Sequence, residues 1–207
     1  MRIKKTIVNA VLLLSMILMI YLMINYRNDL YIEKNRIKQI EELDDQFNYK
    51  FNEPQEKIIS KNNDNSTAPT EYQNNLNLKN AIGKIIIDKL DLNYPILDGS
   101  TEENLNTTIT RFYGSKINEI GNCVLAGHNM KNGTLFGRLS EISNGDMIQL
   151  IDNTGMKKDY TVFEISIVTP DDVSVLSQST GNKKIVTLIT CTNYGKDRLI
   201  IKAIEYE

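Results

Sequence analysis

Tryptophan is missing from this chain, histidine occurs once and cysteine twice. Two cysteines and one histidine are too few for a structural zinc site, which takes four nitrogen or sulfur ligands. Nor do so few cysteines suggest a disulfide-rich secreted scaffold. Any chemistry that needs an imidazole must use His128. The 24 Lys and Arg against 26 Asp and Glu leave a formal net charge of −2. The basic field that a nucleic-acid partner requires is therefore absent.

What is present begins with an apolar run. Residues 7–24 are apolar apart from Asn9 and Ser15. As a helix the run rises roughly 27 Å, enough to cross a hydrocarbon core of about 30 Å with snorkelling ends. Arg2, Lys4 and Lys5 precede it, whereas only Arg27 follows closely and Asp29 offsets that charge. The positive-inside bias predicts a single-pass protein of the cell membrane, with residues 1–6 cytoplasmic and the chain after Tyr26 extracellular. The run is too long for a signal-peptide core and lacks an A-x-A cleavage pattern, so it reads as a retained anchor.

Two segments separate this anchor from the rest. Over residues 25–50, Leu30, Ile37, Ile40 and Leu43 recur among charges at loosely helical spacing, which predicts a solvated stalk helix. Residues 51–80 are rich in Asn, with Pro54 and Pro69 and little to bury, and read as a polar linker.

From residue 81 the pattern turns to strand. Residues 84–88 and 92–97 are short β-type runs, with Pro95 suggesting an edge or a bulge. A short helix follows, with Ser100 or Thr101 as its cap and Ser100-x-x-Glu103 matching a capping box. "NCVLAG" reads as a buried strand and "TLFGRLSEI" as a short helix or turn. "DMIQLID" and "KDYTVFEISIV" form a hairpin across residues 153–155, and "KIVTLIT" and "RLIIKAIEY" complete the set. No full-length crossover helix appears. Residues 81–207 therefore predict an all-β barrel or sandwich of about eight strands with two short helices.

Chemistry concentrates at two strand ends. Asn122 to Ala126 runs into Gly127, whose freedom to turn lets His128 project at a rim, and Cys191 follows "KIVTLIT" in the same way. If the two strands are parallel neighbours, thiol and imidazole meet. A cysteine of ordinary pKa is only a few per cent thiolate at neutral pH, and an adjacent imidazole raises that fraction or accepts the proton. Arg198 adds a permanent charge and a fork of donors suited to a carbonyl or a developing oxyanion. Taken singly, each residue also has a plain reading: Cys191 as a small core hydrophobe, His128 as a surface turn residue, Arg198 as the charge that blunts an edge strand.

Together, "TLITC" with an arginine seven residues on, and "LAGHN" at an upstream strand end, resemble the sortases. These are membrane-anchored cysteine transpeptidases of Gram-positive bacteria. The resemblance spans residues 82–207 and extends to the anchor. It implies an eight-stranded sortase-type β-barrel with Cys191 as nucleophile, His128 as general acid/base and Arg198 as oxyanion or carbonyl partner. Thr190, Asn129 and Val173 are the candidate substrate-binding residues. The implied reaction cleaves an LPXTG-like sorting signal at Thr–Gly and joins the protein to a cell-wall amine. The implied partners are secreted proteins bearing a C-terminal sorting signal, a peptidoglycan-precursor amine and the lipid bilayer. A peptide-binding module on the same barrel, or a Cys–His hydrolase releasing the acyl group to water, are the other readings. The resemblance implies no cofactor. Asp171 and Asp172 resemble a place where some members bind calcium, but read here as a solvated turn.

The segment from 169 to 183 is too short for the long helix of class B, and Ile189 stands where class B usually has Ser. The sequence reads without the Asp-Pro-aromatic lid of the pilin-polymerising class, and the second membrane span of that class is not expected. Class D or a class A-like enzyme is expected. Export permits disulfides, yet Cys123 lies five residues before His128 on one strand, roughly 16 Å at about 3.3 Å per residue. A Cys191 that meets His128 therefore cannot bridge Cys123, which is expected to be a buried free thiol.

Overall fold

The computed structural model describes residues 2–52 and 81–206. The expected polar linker, 51–80, lies outside the described residues apart from its first two positions. The chain divides into two compact units, Met1–Gln39 and Ile40–Glu207.

One helix, α1, runs over Arg2–Asn52. Its apolar stretch is long and apolar enough to cross a membrane, and Val11 to Ile24 expose more than half of their large side chains. A surface so apolar has no reason to face water, and it fits membrane anchoring. The second unit begins inside this helix. Leu43 and Phe47 are buried there, and Ile40 packs against the barrel core. Asp44 pairs with the nearly buried Lys84 at 2.7 Å. The end of the expected solvated stalk is thus a packed part of the domain, because Ile40, Leu43 and Phe47 fall at the i, i+3, i+7 spacing of one helix face.

Eight strands follow: β1 Gly83–Ile87, β2 Leu92–Asp98, β3 Ile109–Gly114, β4 Gly121–Ala126, β5 Met147–Asp152, β6 Lys157–Val168, β7 Lys184–Thr192 and β8 Asp197–Glu205. They close into a barrel in the order β1-β2-β3-β4-β7-β8-β6-β5. Two neighbouring pairs are parallel, β2 with β3 and β4 with β7. The interior is filled by Ile85, Ile87, Ile96, Leu125, Leu150, Leu188 and Ile201, each essentially inaccessible. Branched residues on alternate strand positions supply this core, as a small barrel requires.

Pro95 pairs with Lys84 of β1, while the β2–β3 ladder starts only at Ile96. Its missing N–H therefore falls where no ladder bond is lost. β3 was not singled out in the sequence. Its register shifts between Arg111 and Tyr113, and Phe112 and Tyr113 are half exposed, so the alternation that marks a strand is broken. The short helix α2, Glu102–Thr107, is capped by Thr101, which accepts from the Asn104 N–H at 3.2 Å. Thr101 and not Ser100 is the cap residue, and the Ser100 hydroxyl meets that of Thr110 at 2.5 Å.

Candidate functional site

The parallel β4–β7 pair brings the two chemical strand ends together. Ala126 stands opposite Ile189, and the Gly127 N–H donates to the Ile189 carbonyl at 3.2 Å. Two residues beyond that pair come His128, just past the end of β4, and Cys191 on β7. On the far side of β7, Cys191 is the antiparallel partner of Arg198. All three side chains line one groove of about 390 Å³, and all three are half-buried. Cys191 lies inside β7, not beyond it, since the strand continues to Thr192.

Gly127 is needed for room and not for a tight turn. A Cβ there would stand 2.6 Å from Ile109 Cδ1 and 2.8 Å from Phe136 Cδ2. Those contacts fix the last step before His128. The His128 carbonyl accepts from the Phe136 N–H at 3.0 Å, tying the residue to a fully buried aromatic. Its imidazole has no hydrogen-bond partner among the described residues, which leaves both ring nitrogens to the groove.

Arg198 is held from one side. Its Nη1 donates to the carbonyls of Gly195 and Asp197, each at 3.0 Å. Among the described residues nothing engages Nε or Nη2. The second carbonyl belongs to the first residue of β8, and the first to the β7–β8 turn, where Asn193, Tyr194 and Gly195 all adopt positive φ. Two successive non-glycine residues in that region cost of order 1–3 kcal/mol each, strain that persists only where the surroundings impose it.

The three other candidates take different places. Thr190 is buried and its hydroxyl donates to the Gly127 carbonyl at 2.8 Å, so it ties β7 to the residue before His128. Asn129 is exposed and donates from Nδ2 to the Cys191 carbonyl at 2.7 Å, a second tie between the same ends. Val173 is 71% exposed and lines the groove. Beside it, Asp171 and Asp172 act as turn residues. Hydrogen bonds from Thr169 and from Ser174 respectively hold their carboxyls below the usual range. The sequence reading missed the apolar lining supplied by Leu105, Phe112, Val168 and Ile200. Nothing marks these as groove residues until the barrel is closed.

Cys123 is buried in β4 opposite Val186 of β7. Cys191 is five positions further along β7, roughly 16 Å at about 3.3 Å per residue. Both cysteines are free thiols. Burial pushes the Cys123 thiol up to about 12.

A closed barrel with a thiol, an imidazole and a guanidinium facing one apolar groove is an arrangement suited to thiol-based acyl transfer. The family model for the Sortase domain matches residues 85–205, and the chain belongs to the sortase family. It is 39% identical over 119 residues to "Sortase A" of Bacillus anthracis, covering 57% of this chain and 55% of that protein. It is 32% identical over 111 residues to "Sortase A" of Listeria monocytogenes, covering 53% and 49%. The chain thus spans about half the length of the curated relatives it matches. Among solved structures, a Clostridium perfringens Sortase D5 transpeptidase matches with a TM-score of 0.62 at 28% identity, covering 83% of this chain and 98% of that one. Sortase A from Corynebacterium diphtheriae, a lid mutant, matches with a TM-score of 0.57 at 30% identity, covering 61% and 70%.

Proposed function

We propose that this chain is a membrane-anchored cysteine transpeptidase of class D or class A-like type. The observation that supports this best is the shared groove: Cys191, His128 and Arg198 line one cavity although they come from three separate strand ends. In the first step the Cys191 sulfur attacks the Thr carbonyl of an LPXTG-like sorting signal. The S–C bond forms, the Thr–Gly C–N bond breaks, and the thiol proton passes through His128 to the departing glycine amine. The free Nε and Nη2 of Arg198 are positioned to hold the carbonyl oxygen as it gains charge. In the second step the amine of a cell-wall precursor attacks the thioester. His128 takes the amine proton and the Cys191 sulfur leaves, which regenerates the enzyme.

This chemistry needs no cofactor. Its partners are secreted proteins carrying a C-terminal sorting signal and the peptidoglycan-precursor amine. The charges before residue 7 favour a cytoplasmic N-terminus and an extracellular barrel. Thr190 and Asn129 align the catalytic strand ends, and Val173 contacts the bound peptide.

The test is cleavage of a peptide library by the full chain in detergent micelles, with and without an added amine. A ligated peptide in the presence of amine supports the proposal. Hydrolysis that the amine does not divert makes the protein a Cys–His hydrolase. Binding without cleavage makes it a peptide-binding module.

A further inference from the structure

The connection from β6 to β7, residues 169–183, forms part of the groove wall through Val173, Val175 and Leu176. Its regular structure amounts to one 3-10 turn, Ser174–Leu176. A segment so poor in internal order needs an outside support to keep a fixed shape. One residue of β4 supplies it. Asn122, 3% exposed, donates from Nδ2 to the carbonyls of Val175 at 3.0 Å and Ser177 at 3.2 Å. Its Oδ1 accepts from the fully buried Thr187 hydroxyl of β7 at 2.7 Å.

The backbone of the same residue grips the loop a second time. The Asn122 N–H donates to Gln178 Oε1, and the Asn122 carbonyl accepts from Gln178 Nε2, both at 3.0 Å. Gln178 Nε2 also donates to the Leu176 carbonyl at 3.0 Å. Two glycines make space for this amide. A Cβ on Gly114 would stand 2.5 Å from Gln178 Nε2, and one on Gly121 would stand 3.1 Å from its Oε1. Both glycines have positive φ. Neither Asn122, Thr187 nor Gln178 lines the groove.

Resting on the function proposed above, we infer that Asn122 and Gln178 are positioning residues. They hold loop 169–183 as a preformed wall of the peptide groove, and so set KM for the sorting peptide without acting on the chemistry at Cys191. The physical reason is preorganisation. A wall already fixed before binding spares the peptide the cost of ordering it. A buried amide with every polar atom paired keeps that wall in one place, since leaving any of them unpaired is costly.

The experiment compares the unaltered full chain in micelles with Asn122→Ala and Gln178→Ala. Three quantities are read: hydrogen exchange across 169–183, kcat and KM for the sorting peptide, and alkylation of Cys191 by iodoacetamide. Expected are faster exchange confined to the loop, KM raised about tenfold with kcat within about threefold, and an unchanged alkylation rate. Should Asn122→Ala fail to fold, Gln178→Ala decides, because its side chain lies at the surface. Unchanged loop exchange overturns the clamp. Faster exchange with unchanged KM overturns its role in the groove. A parallel fall of kcat and alkylation shows action on the thiol and also overturns the inference. Absence of turnover by the unaltered chain sinks the transpeptidase reading and the KM clause with it, while the exchange arm still decides whether the clamp holds the loop.

Discussion

Cys191 on β7 stands directly opposite Arg198 on β8, one rung before the ladder ends at Thr192 and Asp197. Register, and not sequence proximity, keeps the thiol and the guanidinium side by side. A substitution at Arg198 should therefore be felt in turnover far more than in folding. Arg198→Ala is expected to lower kcat about 10²–10³-fold, the scale of losing one oxyanion donor. Arg198→Lys should recover little, because a point charge lacks the fork with which one guanidinium can bond backbone carbonyls and a proposed substrate oxygen at once. Steady-state kinetics beside a melting curve separates the two effects. A variant that unfolds would make the residue an edge-strand guard instead.

Thiol counting gives the second prediction. Cys123 is sealed within the barrel and its thiol is pushed up to about 12 by burial. A colourless disulfide reagent that releases a chromophore should find one reactive thiol in the native protein and two after denaturation. Cys191→Ala should leave none in the native state. An intact mass lower by two hydrogen atoms in the active protein, the mark of an internal disulfide, would contradict this.

The third concerns the two ties between the segments that carry His128 and Cys191. Thr190→Val keeps shape but leaves the Gly127 carbonyl without its 2.8 Å donor. An unpaired buried acceptor costs about 1–3 kcal/mol, to be read from urea midpoints. Activity should fall as well, since the same carbonyl precedes His128. A variant as stable as the parent would show that water replaces the hydroxyl.

These residues also show how far the sequence could be read. The position of His128 just past β4 was legible because a buried run ending in Gly127 announces where that strand stops, whereas Cys191, expected just past its strand, lies inside β7, which runs on to Thr192. The hairpin of β5 and β6 was legible from alternation. β3 was not, because its bulge breaks the period at the residues that would reveal it. Nor was the Asn122–Gln178 clamp, whose partners lie 56 positions apart and meet partly through backbone atoms that carry no sequence signal. Ile40 and Leu43 looked like one face of a solvated helix, because spacing reveals that a face exists but not what covers it.

A fourth prediction is pH-dependent. Glu205 accepts from Lys158 of β6 and Lys184 of β7, each at 2.9 Å, and joins three strands at the end of β8. The hydrogen bond from Lys158, then that from Lys184, holds its carboxyl below the usual glutamate range. A carboxyl depressed on folding adds stability above its unfolded pKa of about 4.3 and loses it as pH falls through the lower native value. Glu205→Gln should melt below the parent at pH 7, and the gap should close in acid below about pH 4. A gap independent of pH would assign the loss to packing.

The closed order of the eight strands has a last consequence. A protein whose proposed clients arrive as extended polypeptide tails is exposed to adventitious strand addition, the route by which open sheets recruit stray chains. A closed cylinder offers such tails no full-length edge strand to zip onto. Discrimination between clients then falls to side chains and loop backbone at one mouth, and an extended segment of the wrong composition finds no generic purchase elsewhere on the sheet.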